Sequence, residues 1–136
     1  MALFKGDIKR GAGGIVDVEF VVQTLQLIHG REKPELIHAN TVVGLNKLTA
    51  TGIMDSDTGS ELLSAYEFLR WLETRFSLLL TPGESIGNMD AEKLRSLIQR
   101  IGYRSTGTES PEEIFLEELR YHCERNRAIL ERVLGE

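Results

Sequence analysis

The sequence holds a single cysteine, Cys123, among 136 residues. One thiol cannot close an internal disulfide, so packing and not cross-linking must hold this fold together. Cys123 falls inside a helical pattern, where a buried thiol behaves as a small apolar side chain. Proline is scarce, with three in all, and Pro34, Pro82 and Pro111 stand at the edges of periodic segments where they end or start helices. No apolar run approaches the roughly 18 residues that a membrane span requires, and no signal-peptide pattern opens the chain. The expectation is a protein of the cytoplasm with no membrane partner. A basic surplus is also missing: 16 Lys and Arg against 21 Asp and Glu leave a formal charge of -5. Duplex binding needs the opposite balance, so nucleic acid is not an expected partner. Sustained period-two alternation, internal repeats and low-complexity tracts are absent as well, and strands are not needed.

What is present is helical periodicity on a chain of one-domain size, with 41% hydrophobic residues to build a core. Residues 1–14 carry Gly6, Gly11, Gly13 and Gly14 among Lys5, Lys9 and Arg10, and read as a flexible, glycine-rich, basic lead-in. Met1-Ala2 is compatible both with a native start and with residues added by cloning. Residues 15–136 read as a helical bundle domain. The first helix runs from Ile15 to about Gly30 and is apolar on two sides. Ile15, Val18, Val21, Val22, Leu25 and Ile28 form one face, and Val16, Phe20 and Leu27 the other, with Glu19, Gln23 and Gln26 as a polar wedge between them. Such a helix has to be covered twice.

Asn40 caps a short second helix that stops near Gly52, and Asp55 caps a long third helix with the stripe Leu62, Ala65, Tyr66, Leu69, Leu72, Phe76 and Leu79. Gly59, in the first turns of that helix, predicts a start that frays or shifts. Asp90 leads into a fourth helix ending at Gly102. Ser110-Pro111-Glu112-Glu113 is a capping box with proline at the first helical position, opening a fifth helix that runs to Gly135. The fold class that follows is all-α, an irregular antiparallel bundle of about five helices.

A complete catalytic set is not found. His29, His38 and His122 lack the spacing of a zinc site, and no nucleophile elbow, P-loop or H-E-x-x-H pair occurs. The segment that stands out is Asp7-Ile8-Lys9-Arg10-Gly11-Ala12-Gly13-Gly14-Ile15-Val16-Asp17-Val18-Glu19-Phe20. A glycine-rich turn entering a helix can offer free amides and the positive end of the helix dipole to an anion, with Lys9 and Arg10 adding charge. Asp17 and Glu19, two apart on a helix, point about 200° from one another and cannot chelate one ion together. Acidic residues in a first turn also simply complement the helix dipole.

The run from Asp7 to Leu27 resembles the segment that opens the helical domain behind each nucleotidyltransferase domain of the bifunctional glutamine synthetase adenylyltransferase/adenylyl-removing enzymes. The likeness continues through Lys33-Pro34-Glu35-Leu36, Asn40-Thr41, the run from Ala65 to Phe76, and Asn126-Arg127 with Leu130 and Val133. Ser77 and Trp71 depart from it, standing where glutamine and a basic residue are common. In that family each half pairs a catalytic domain with a helical one. One half transfers AMP from ATP to a tyrosine of glutamine synthetase, and the other removes it by phosphorolysis. The catalytic G-S motif and its magnesium-binding carboxylates are not in this sequence.

The resemblance implies that ATP and magnesium belong to the full-length enzyme, and that this fragment alone is inactive and binds neither. It implies that Lys9, Gly13, Gly14, Asp17 and Glu19 face a nucleotide-binding cleft shared with the catalytic domain. The implied partners are that domain, glutamine synthetase and the PII signal protein. The V-D-V-E-F wording and an end at Glu136, just past a glycine, favour the C-terminal half. Two alternatives stand beside this reading: the equivalent domain of a PII uridylyltransferase, and a helical interaction module with no enzymatic partner.

Overall fold

The helices start where capping chemistry allows them to. In the computed structural model, which describes residues 7–135, five α-helices follow one another: α1 Ile15–His29, α2 Thr41–Ala50, α3 Ser56–Leu79, α4 Ala91–Arg100 and α5 Pro111–Gly135. Met1-Ala2, Lys5, Gly6 and Glu136 lie outside the described residues. Side chains of Asn40, Asp55 and Asp90 accept the amides of Val43, Thr58 and Lys93 at 2.8–3.0 Å, satisfying donors that a helix start leaves orphaned. The Ser110 box closes in both directions: Glu113 N–H donates to Ser110 Oγ at 3.2 Å, and Ser110 N–H to Glu113 Oε1 at 3.0 Å. No strand occurs among the described residues; one isolated bridge joins Thr106 and Glu109 in the last loop.

α3 and α5 form the frame. They run antiparallel, since Leu62 shares a cluster with Ile129 and Leu130 while Phe76 packs edge-on against Phe115 at 5.9 Å. Each helix crosses two buried clusters. The first joins Ile8 and Ile15 to Leu69, Leu72, Phe115 and Cys123, and α4 covers it with Leu97 and Ile98. The second joins Val18, Val21 and Val22 of α1 to Leu45 and Leu48 of α2 and to Met54. Two short 3-10 turns, Pro34–Leu36 and Ile86–Asn88, each push one side chain into a cluster, Leu36 and Ile86. Three residues are too few to show a period, so no sequence pattern marks either turn.

Two expectations for the helices need correction. Gly59 does not fray the start of α3; the helix is continuous from Ser56, and a Cβ at Gly59 would stand 2.4 Å from Thr49 Oγ1. The glycine lets α3 approach α2 closely, a packing reason for a residue that propensity alone penalises. Gln26, in the polar wedge of α1, is turned inward. It is 5% exposed, and its Nε2 donates to the carbonyls of Leu36 at 2.8 Å and His38 at 3.2 Å, satisfying the backbone of the connection that folds over it. Ile28, expected on the core face, is exposed because α1 ends one residue later.

Candidate functional site

The segment entering α1 is a closed, hydrogen-bonded turn from Asp7 onward. Asp7 Oδ1 accepts the amides of Lys9 at 3.0 Å and Arg10 at 2.9 Å, and Asp7 O accepts that of Gly11. Gly14 N–H donates to Gly11 O, Ile15 N–H to Ile8 O and Val16 N–H to Lys9 O, so the chain folds back over its own helix start. Ile8 is buried in the first cluster and anchors the turn from below. Gly13 sits at φ +77°, a region that a side chain makes costly. A Cβ there would lie 2.0 Å from the Cys123 carbonyl oxygen, so turn and α5 meet backbone to backbone.

Asp17 completes this arrangement. Its Oδ2 accepts Gly13 N–H at 2.7 Å and is paired with Arg127 Nη1 of α5 at 3.2 Å. The carboxylate therefore occupies the positive end of α1 that an external anion would otherwise seek. The amides of Lys9, Arg10, Gly11, Gly13, Gly14, Ile15 and Val16 are each donated within the protein. The open functional groups of the turn are thus side chains, Lys9 and Arg10, both exposed. Gly13 and Gly14 are buried and set the shape of the turn.

Glu19 points the other way. Its Oε2 accepts the Tyr66 hydroxyl of α3 at 3.2 Å, and burial first, then the neighbouring carboxylate, raises the Tyr66 phenol above its ordinary value. Asp17 and Glu19 are committed on opposite flanks of α1, as their angular separation requires. Neither is positioned to share a metal ion, and among the described residues no group of three His, Cys, Asp or Glu converges to hold one. The residues present therefore do not fit a magnesium site.

Between those two flanks runs an uncovered stripe. Val16, Phe20 and Leu27 lie on one side of α1 at helical spacing, and Phe20 is 43% and Leu27 79% exposed. The opposite side, Ile15, Val18, Val21 and Val22, is fully buried. α1 is thus apolar on two faces and covered by its own bundle on one.

Beside the turn lies a groove of about 610 Å³ lined by Lys9, Asp7, Glu73, Phe76, Ser77 and Glu84, among others. Asp7, Glu73 and Glu84 line it with Lys9, and Glu84 among them is paired with Lys93. Glu84 is held down to about 2, first by its hydrogen bond with Lys93 and then by the amide and hydroxyl of Thr81. Glu73 Oε2 is buried with no hydrogen-bond partner among the described residues. Sequence reasoning placed Tyr66 only on the apolar stripe of the third helix and gave Glu73 and Arg127 no part in the site. A glutamate four residues after Leu69 and three before Phe76, on the inward side of α3, was the available signal for Glu73. Cys123, as expected, is a core residue, and burial pushes its thiol up to about 11, which keeps it protonated and unreactive.

The described residues thus form a helical bundle with an internally closed glycine turn and an uncovered apolar stripe on α1. A family model described as GlnD PII-uridylyltransferase matches residues 2–134, and the chain belongs to that family. Curated relatives agree on a related name. The chain is 49% identical over 72 residues to the bifunctional glutamine synthetase adenylyltransferase/adenylyl-removing enzyme of Corynebacterium diphtheriae, covering 53% of this chain and 7% of that one. It is 41% identical over 97 residues to the protein of that name from Stenotrophomonas maltophilia strain K279a, covering 71% and 10%. With that of Nocardia farcinica it shares 36% over 125 residues, covering 90% and 12%. The chain spans between 7% and 12% of the length of these relatives.

Proposed function

We propose that this chain is the helical domain of a glutamine synthetase adenylyltransferase/adenylyl-removing enzyme, seated against a nucleotidyltransferase domain and forming one wall of its nucleotide cleft. The observation that carries this reading is the stripe Val16, Phe20 and Leu27, uncovered directly after a turn that presents Lys9 and Arg10. An apolar face beside a basic, rigid turn suits a domain that binds an anionic nucleotide at its edge. The names of the relatives support the choice of enzyme. In this reading Lys9 meets the nucleotide, Gly13, Gly14 and Asp17 hold the turn that carries it, and Glu19 with Tyr66 borders the stripe. ATP and magnesium bind at the catalytic domain, whose carboxylates would supply the charge neutralisation that phosphoryl transfer needs.

The reading extends to glutamine synthetase and the PII signal protein as partners, to the cytoplasm as the place of action, and to the C-terminal half of the enzyme. Division into a lead-in over residues 1–14 and a bundle over 15–136 belongs to it. The description of the matching family model favours a second reading, the equivalent domain of a PII uridylyltransferase.

One assay separates them. The enzyme that joins this chain to its nucleotidyltransferase domain is given labelled ATP or UTP, with glutamine synthetase or PII protein as acceptor. AMP transfer to glutamine synthetase, lowered about tenfold or more by Lys9→Ala and by Phe20→Asp, is the expected result. UMP transfer to PII establishes the second reading. Full AMP transfer in both variants overturns the cleft role.

A further inference from the structure

The glycine turn is held from far along the chain. Asn126, 1% exposed in the middle of α5, donates through Nδ2 to Gly13 O at 2.9 Å. The next residue, Arg127, pairs with the Asp17 carboxylate that accepts Gly13 N–H. Both backbone groups of the one left-handed residue in the turn are thus bound by a chain of contacts ending on two consecutive residues of α5. Gly13 has no side chain of its own to keep it there, and the backbone contact with Cys123 leaves no slack.

The geometry points to Asn126 and Arg127 as positioning residues that set where the Lys9 turn stands. Neither touches the open side of the turn; each acts through Gly13 or Asp17. A rigid support of this kind matters when a group must be presented within a fraction of an ångström, and its loss costs rate more than affinity. The inference rests on the function proposed above for its catalytic consequence, and on distances alone for its mechanical one.

The test has two arms. Asn126→Asp keeps the shape of the side chain and removes the donor to Gly13; Arg127→Met removes the cation, and Arg127→Lys restores it. Arg125→Met is the control, since Arg125 pairs with Glu61 of α3 and does not touch the turn. Amide exchange on the protein should rise about tenfold or more over residues 8–16 in Asn126→Asp and Arg127→Met, with α3 unchanged and the control silent. Unchanged exchange over the turn in Arg127→Met overturns the inference even if Asn126→Asp does not fold.

In the second arm, kcat for AMP transfer by the intact enzyme should fall about tenfold in Arg127→Met, with KM for ATP within about twofold and recovery in Arg127→Lys. A loosened turn with full kcat, in an enzyme that Lys9→Ala does slow, overturns the positioning role and leaves the cleft reading standing. An enzyme insensitive to Lys9→Ala and Phe20→Asp overturns the cleft reading, and the exchange arm then decides the clamp by itself.

Discussion

The two faces of α1 are both apolar and have opposite fates. Ile15, Val18, Val21 and Val22 face α2, α3 and α5 and are buried, whereas Val16, Phe20 and Leu27 face outward. Burial of an apolar side chain contributes roughly 1.5–3 kcal/mol, so the inner face stabilises the bundle while the outer face contributes little to it. The two edges between the faces are polar and occupied, Asp17 on the α5 side and Glu19 on the α3 side. The difference teaches that amphipathicity counts faces without saying which one its own fold will use.

Substitutions can break this contrast in order of expected size. Gly13→Ala should be the most damaging, at about 4 kcal/mol, because a left-handed backbone and an overlap with a main-chain carbonyl act together; urea denaturation measures it. Ile15→Ala on the inner face should cost about 3 kcal/mol in the same assay, from lost burial and the cavity left behind. Gln26→Leu should cost about 2 kcal/mol, since it strands the Leu36 and His38 carbonyls. Phe20→Ser on the outer face should change stability by less than about 0.5 kcal/mol. A loss for Phe20→Ser as large as that for Ile15→Ala would show that the stripe belongs to the bundle after all.

The smallest effect concerns the part of α5 that meets α3. The His122 ring lies 4.9 Å from that of Phe68 and 5.3 Å from that of Tyr121. Burial holds its pKa below the ordinary value, Glu118 opposes the shift, and Arg125 adds to it. The unfolded chain takes up this proton at about pH 6.5 and the folded one only at lower pH. Between those two values the unfolded state holds more protons, so this contribution to stability is complete above about pH 6.5 and is lost as pH falls through the window beneath it. Thermal melts between about pH 7.5 and pH 5.5 should show a shallow decline that His122→Gln flattens.

Much of the fold was legible because its signals are local. Asn40, Asp55, Asp90 and the Ser110 box act within three residues of themselves, and the third-helix stripe through Leu62, Leu69, Leu72 and Phe76 keeps a period that any reader can count. The glycine segment with Lys9, Asp17 and Glu19 was conspicuous for the same reason. What it does with its amides was not, because the acceptors include a side chain four residues away and carbonyls across the turn. The burial of Gln26 has no local sign, because it depends on Leu36 folding over it.

The sequence by itself determined an all-helical chain, the start of each long helix, and the two-sided apolar character of α1, since these depend on spacing and on caps within a single turn. Only the tertiary structure decided which side of α1 is left uncovered, and that Asn126 and Arg127 hold Gly13 and Asp17. The second outcome joins residues more than a hundred positions apart, and no periodicity along a chain encodes which distant helix will arrive against which face.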